Sequence, residues 1–282
     1  MITNELKKRL ERQKGIPAAY TYVAGQPLRA IDLLYRTFCT PFSDNVVATE
    51  LTRSDYRRMA EVNHVEYREV PLDNDFLLTA EALRKVCDDK TRLVWLCMPN
   101  VVTGNNNMVR EELIGFMKSF AGMVVVDESL SDYARQRPLR YELPQHPRLI
   151  VLDAPGLLFA QPDIIGRLQT LADLYDYEGD LVSALPDPFD LDRRVQLLMQ
   201  ERTRLINAFR ELPLCEHVYA SDADFFVVRM AHASAVVDYL RQRSITISTL
   251  PDPSLLRIPI GSRTENNELV GALRQIRMSG EG

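Results

Sequence analysis

The residues best placed to do chemistry stand just after short apolar runs. Asp127 follows Met123–Val126, Asp153 follows Leu149–Leu152, and Pro99 to Asn105 follows Arg92–Cys97 shortly before them. A carboxylate at the end of a buried strand is too costly to desolvate alone, so Asp127 needs a partner. Either it serves a ligand, or it is a cap or turn acceptor. Other candidate groups are scattered. Cys39, Cys87, Cys97 and Cys215 contain no CxxC pair, which argues against a zinc site and for reduced thiols in the cytoplasm. His64, His146, His217 and His232 are isolated, as surface or packing histidines are.

These groups need elements to hold them. Asn4–Lys14 reads as a helix ended by Gly15, and Pro27–Phe38 as a second, with Leu28, Ile31, Leu34, Tyr35 and Phe38 on one face. Strands and helices then alternate. The spacing predicts strands at 45–49, 64–70, 92–97, 123–127 and 148–153, with helices at 53–63, 79–87 and 109–120 between them. Short, wholly apolar strands separated by amphipathic helices mean a mainly parallel sheet covered on both faces. Ligands of such a sheet bind beyond the carboxyl ends of its strands. Residues 169–189 are acidic and end in Pro186 and Pro188, and read as a crossover. One long helix at 191–212 follows. Strands at 225–230, 245–249 and 255–260, with helices at 233–243 and 265–278, then suggest a smaller α+β domain. The expected division is a large α/β domain over 1–189 and a small one over 190–282.

Composition narrows the function classes. The 282 residues carry a net charge of −5 and a pI near 5.5, which disfavours a nucleic-acid footprint. Arg57 and Arg58 stand near Glu61, and Arg193 and Arg194 near Asp190 and Asp192, as on solvated helix faces. No apolar run approaches the roughly 18 residues of a membrane helix. Residues 1–12 are charged and amphipathic, unlike a signal peptide.

Five segments, in order, resemble the histidinol-phosphate aminotransferase branch of the aspartate-aminotransferase fold. Pro99 to Asn105 matches the Pro-Asn-Asn-Pro-Thr-Gly-Asn loop, and Asp127 to Tyr133 the Asp-Glu-Ala-Tyr-Ile-Asp-Phe segment. Leu149 to Ala160 matches the lysine strand, and Ser221 to Phe225 a Ser-Asp-Ala-Asn-Phe segment. Leu256 to Gly261, with Glu265 and Asn266, matches Leu-Arg-Ile-Thr-Ile-Gly and Glu-Asn. The likeness runs from about Asn4 to Met278. It implies a pyridoxal-phosphate aminotransferase fold and a homodimer, or a heterodimer with a related aminotransferase. It also implies that the chain starts some tens of residues later than the family, without its N-terminal arm.

The same resemblance locates losses. The family's Schiff-base lysine matches Leu157, and no lysine follows Lys118. Arginine is no substitute, because it stays protonated. The asparagine and tyrosine that hold the cofactor's phenolic oxygen match Val101 and Leu130, and the stacking aromatic matches Arg53. The phosphate cradle matches Ala24 to Arg29, where Pro27 supplies no N–H. The phosphate arginine falls at Ile165; Arg167, two positions on, reaches an anion only if the register slips. Asp127 survives as the partner of the pyridine nitrogen, with Asn100 and Tyr133 as vestiges of the cofactor site. Arg257 survives at the substrate's anionic group, or serves as an interdomain salt bridge. Beside it stand Arg53 and Asp224, the latter an acid in place of asparagine. The expectation is a catalytically disabled homologue acting in binding, interaction or regulation, with no covalent cofactor. The alternatives are a pyridoxal-phosphate aminotransferase or lyase with a rebuilt site, acting on a phosphorylated amino acid such as histidinol phosphate, and a sensor of a small anion gripped by Arg257 and Arg53.

Overall fold

The computed structural model describes residues 4–174 and 188–276. Helix α1 (Asn4–Lys14) leads through a short turn into β1 (Thr21–Val23) and α2 (Pro27–Phe38). Then follow β2 (Asn45–Thr49), α3 (Ser54–Val62), β3 (Glu66–Val70), α4 (Ala80–Val86), β4 (Thr91–Cys97), α5 (Arg110–Ser119) and β5 (Met123–Asp127). A 3₁₀ segment, Leu139–Gln145, precedes β6 (Leu149–Asp153), β7 (Leu157–Phe159) and α6 (Pro162–Leu174). The smaller unit contains α7 (Pro188–Arg210), β8 (Cys215–Val218), β9 (Phe225–Met230), α8 (Ala233–Arg241), β10 (Ser248–Thr249), β11 (Leu255–Pro259) and α9 (Arg263–Arg274).

Seven strands form the first sheet in the order β1-β7-β6-β5-β4-β2-β3. The pairs from β3 to β6 are parallel, and β7 is antiparallel to both β6 and β1. Alternation sends every second side chain to each face. Val94, Leu96, Val124, Val126 and Val151 pack with α4, α5 and Leu10 of α1. Leu93, Trp95, Val125 and Leu152 pack with α2, α3 and α6. Full burial of one such side chain stabilises the fold by roughly 2 kcal/mol, which is why the central stretches of these strands are apolar throughout. The second sheet, β10-β11-β9-β8, is antiparallel. Phe226 and Val228 face α7, α8 and α9, whereas Phe225 and Val227 face Phe76, Leu51, Val102 and Leu130 of the large unit.

Several expectations change. The two strands β1 and β7 are too short to show a period, and burial of all of Leu157–Phe159 defines β7. The strand expected at 245–249 shrinks to Ser248–Thr249. Ser244 takes a left-handed backbone and Ile245 N–H bonds back to Leu240, so that stretch is a helix-ending turn. The expected crossover is helical in its first part, because α6 continues to Leu174 with Leu168 and Ala172 buried; residues 175–187 lie outside the described residues. No helix among the described residues is long and apolar enough to cross a membrane.

Candidate functional site

The carboxyl edge of the large sheet carries two charged centres on opposite faces. Asp127 ends β5 in register with Cys97 and turns toward α3, the face of Val125 and Trp95. It is fully buried. Its Oδ2 accepts from Arg53 Nε at 2.8 Å and from the Tyr56 hydroxyl at 2.7 Å. Its Oδ1 accepts from the backbone N–H of Ser129 at 3.0 Å and from the Ser129 hydroxyl. Arg53 is the N-cap residue of α3 and Tyr56 stands three residues on, so the helix presents both to one carboxylate. Tyr56 is itself fixed by stacking on Trp95, with ring centroids 4.6 Å apart, and its carbonyl accepts from Tyr35. Burial and then the Asp127 charge push the Tyr56 hydroxyl well above its ordinary range, so it remains a donor. Burial opposes the charge on Arg53, but the Asp127 carboxylate outweighs it and the guanidinium pKa is raised.

The second centre lies on the α1 face. Asp153 ends β6, is 2% exposed, and pairs with Lys14 Nζ at 2.8 Å. Arg140 lies 3.4 Å from Glu128 and 3.8 Å from Asp153, and its Nε donates to the carbonyl of Lys14. Glu128 also accepts from the N–H of Leu139. An amine therefore does reach a strand end, although no lysine follows Lys118 in the sequence. It comes from the opposite end of the chain and sits on the face away from Asp127.

Position 157 is not in the cleft wall. Leu157 pairs with Asp153 across a tight hairpin and is fully buried beside Val151 and Phe159, in the layer of α4 and α5. A side chain there points away from Asp127. The turn itself, Ala154 to Gly156, packs on the start of α2. The Gly156 carbonyl accepts from Ala24 N–H, and a Cβ on Gly156 would lie 2.5 Å from the Gln26 carbonyl carbon. The backbone that would cradle a phosphate is thus covered by the chain. Arg167 is also committed elsewhere, donating to the Thr37 carbonyl and stacking over Phe38.

Between the two units lies a cleft of about 680 Å³, lined among others by Glu50, Arg53, Val101, Leu130, Asp224 and Arg257. Among the described residues neither Leu157 nor a lysine lines it. Arg257, on β11, lies 3.6 Å over the Phe225 ring and donates to the Val101 carbonyl at 3.3 Å. Among the described residues no carboxylate comes within 4.0 Å of it. Burial lowers its pKa and Asp224 pulls it back up. Arg53 and Asp224 do line the cleft with it, but the Arg53 charge is already matched by Asp127. Asn100 is displaced from its expected role. It is fully buried, donating to Leu51 and Asn107 and accepting from Val102 and Thr103, and it shapes its own loop. Tyr133 does not line the cleft; its carbonyl accepts from Arg202. Tyr56 and Ser129 were not singled out in the sequence. The three-residue step from Arg53 to Tyr56 was the one signal for the former, and adjacency to Asp127 for the latter.

The donor set does not fit pyridoxal phosphate. Asp127 has both oxygens occupied by the chain, the helix start is covered by a turn, and among the described residues no amine lines the cleft. Among the described residues no group of three or more His, Cys, Asp or Glu is able to hold a metal ion.

The comparisons converge on one family. The family model for aminotransferase class I and II matches residues 21–156 and ends in the turn before β7. Histidinol-phosphate aminotransferase from Bacteroides fragilis is 34% identical over 290 residues, covering 96% of this chain and 84% of that protein. The Parabacteroides distasonis protein of the same name is 32% identical, covering 97% and 85%. The solved histidinol-phosphate aminotransferase from Sinorhizobium meliloti, in complex with pyridoxal-5′-phosphate, has a TM-score of 0.80 at 20% identity, covering 96% of this chain and 80% of that one. The Clostridium acetobutylicum enzyme structure gives the same TM-score at 16% identity, covering 95% and 86%. On its fold, its strand-end residues and these relatives, the chain belongs to the pyridoxal-phosphate-dependent class I and II aminotransferase family, in its histidinol-phosphate aminotransferase-like branch.

Proposed function

We propose that this chain is a catalytically disabled member of its family that forms no imine with pyridoxal phosphate and acts as a binding protein. The carrying observation is the burial of position 157 on the face of the sheet away from Asp127, together with a cleft whose lining among the described residues contains no amine. Imine chemistry needs a lysine nucleophile beside the cofactor ring. Among the described residues, the amine that reaches a strand end, Lys14, is held by Asp153 across the sheet from Asp127. Arg257, within 4.0 Å of no carboxylate among the described residues, supports a small anionic ligand in the cleft, and Asp224 disfavours a strongly charged one.

Purified protein mixed with one equivalent of pyridoxal phosphate and reduced with borohydride is expected to show no stable adduct on any cleft residue. An adduct mapped to one lysine at unit stoichiometry, or amino-group exchange by the pure protein, would overturn the reading. For the ligand, thermal-shift measurements with small monocarboxylates are expected to raise the melting temperature of the wild type but not of Arg257→Ala, and to do so more than phosphate esters or dicarboxylates, which Asp224 repels. In this proposal the protein works as a dimer, with itself or with a related aminotransferase, in the cytoplasm, where its free thiols persist. Sedimentation showing monomer alone, with no partner recovered, would contradict the assembly.

A further inference from the structure

We infer that Arg53 is a built-in stand-in for the cofactor's ring nitrogen: its guanidinium neutralises Asp127 from within the chain, so the native state of this protein is complete without a pyridine ligand. The inference rests on the proposed non-catalytic reading and goes further, to the residue that makes it stable.

Asp127 is fully buried at the end of a parallel strand. A carboxylate there is tolerable only with a cation and hydrogen bonds in good geometry. In this chain all of these come from within. Arg53 supplies the charge at 2.8 Å, Tyr56 a hydroxyl at 2.7 Å, and Ser129 two donors on the other oxygen. A pyridinium offers one N–H and a positive charge, and the Arg53 Nε–H offers the same pair of properties. Arg53 is also one-fifth exposed at its side chain, so its outer side forms part of the cleft wall while its Nε faces the carboxylate. Leu130 and Val101 line the same cleft without a side-chain donor.

Two measurements decide the matter. In the first, thermal unfolding compares wild type, Arg53→Met, Asp127→Asn and the double variant. If the pair is a stand-in, Arg53→Met strands a buried charge and lowers the melting temperature by about 10 °C, and adding Asp127→Asn restores at least half of that loss. Additive losses in the double variant would overturn the inference. In the second, pyridoxine is the probe, since it has the ring nitrogen but neither aldehyde nor phosphate. Millimolar pyridoxine is expected to raise the melting temperature of Arg53→Ala by several degrees, and to leave the wild type and Arg53→Ala/Asp127→Asn unmoved. An equal shift in the wild type would overturn it. Should Arg53→Ala not fold, Arg53→Lys keeps a cation on a shorter reach. A stability between wild type and Arg53→Met upholds the inference, and one no higher than Arg53→Met overturns it. Neither readout depends on an imine, so a lysine adduct would sink the non-catalytic reading while leaving this result separate.

Discussion

At the scale of single residues, the molecule is governed by where buried charges find partners. Position 157 shows what burial forbids. Leu157→Lys would place an ammonium among Val151, Phe159 and the α4–α5 layer, facing away from Asp127. The expected outcome is no visible imine band with pyridoxal phosphate and a stability loss of about 3 kcal/mol or more by urea unfolding. A restored imine would mean that the chain end of the lysine reaches the cleft despite the strand's register. Glu128 gives a test in pH. Burial pushes its carboxyl up from the ordinary 4.5 to about 7, against the pull of the Leu139 N–H and Arg140. Asp153 beside it is raised for the same reason, though Lys14 and Arg140 oppose the shift. An acid whose pKa is raised on folding binds its proton more tightly in the native state. Stability from Glu128 therefore grows as pH falls from about 7 toward 4.5 and is lost as pH rises through that window. Melting temperatures across that range should slope this way in the wild type. In Glu128→Gln the slope should flatten; an unchanged slope would exclude Glu128 as its source.

At the scale of elements, the hairpin joining β6 and β7 matters most. Gly156 has φ +103° and its missing Cβ admits the backbone of Gln26 at the start of α2. Gly156→Ala is expected to cost about 3 kcal/mol, through strain and the displacement of α2. Gly115 is the control. It lies on α5, where an added Cβ would meet nothing within 4 Å, so Gly115→Ala should be neutral or stabilise by up to about 1 kcal/mol. Differential scanning calorimetry on the two variants distinguishes a turn that holds the helix start from one that merely passes it. The same turn closes the place where the family model stops matching.

At the scale of the whole molecule, the links between the two units include an apolar seam and a buried cation. Arg202 on α7 is 1% exposed and donates to the carbonyls of Tyr133, in the large unit, at 3.1 Å and Ala223, in the small one, at 2.8 Å. Asp222 stands 3.9 Å away and accepts from Asn106. Arg202→Ala removes both donors and leaves space behind, so a loss of about 3 kcal/mol is expected. Hydrogen exchange should locate it: the amides of Asp222 and Ala223 should exchange faster, while those of β4 and β5 stay protected. Protection lost everywhere equally would mean that the units unfold as one and that Arg202 is no seam. The cleft, with Arg257 on one side and Arg53 on the other, lies between the same two units.

The sequence by itself determined the layered architecture. Apolar runs too short to be anything but buried strands, alternating with one-sided helices, leave a covered parallel sheet as the stable solution. It also determined that Asp127 would sit at a strand end and need a partner, because that follows from local burial alone. It could not say which partner, since Arg53 meets Asp127 only when α3 docks on the sheet. Nor could it show that Lys14 would cross to Asp153, a contact between the first helix and the sixth strand of the chain. The facing of Leu157 was hidden for a related reason. A one-residue difference in a strand's register moves a side chain to the other face, and register is set by pairing with neighbours rather than by the strand's own residues.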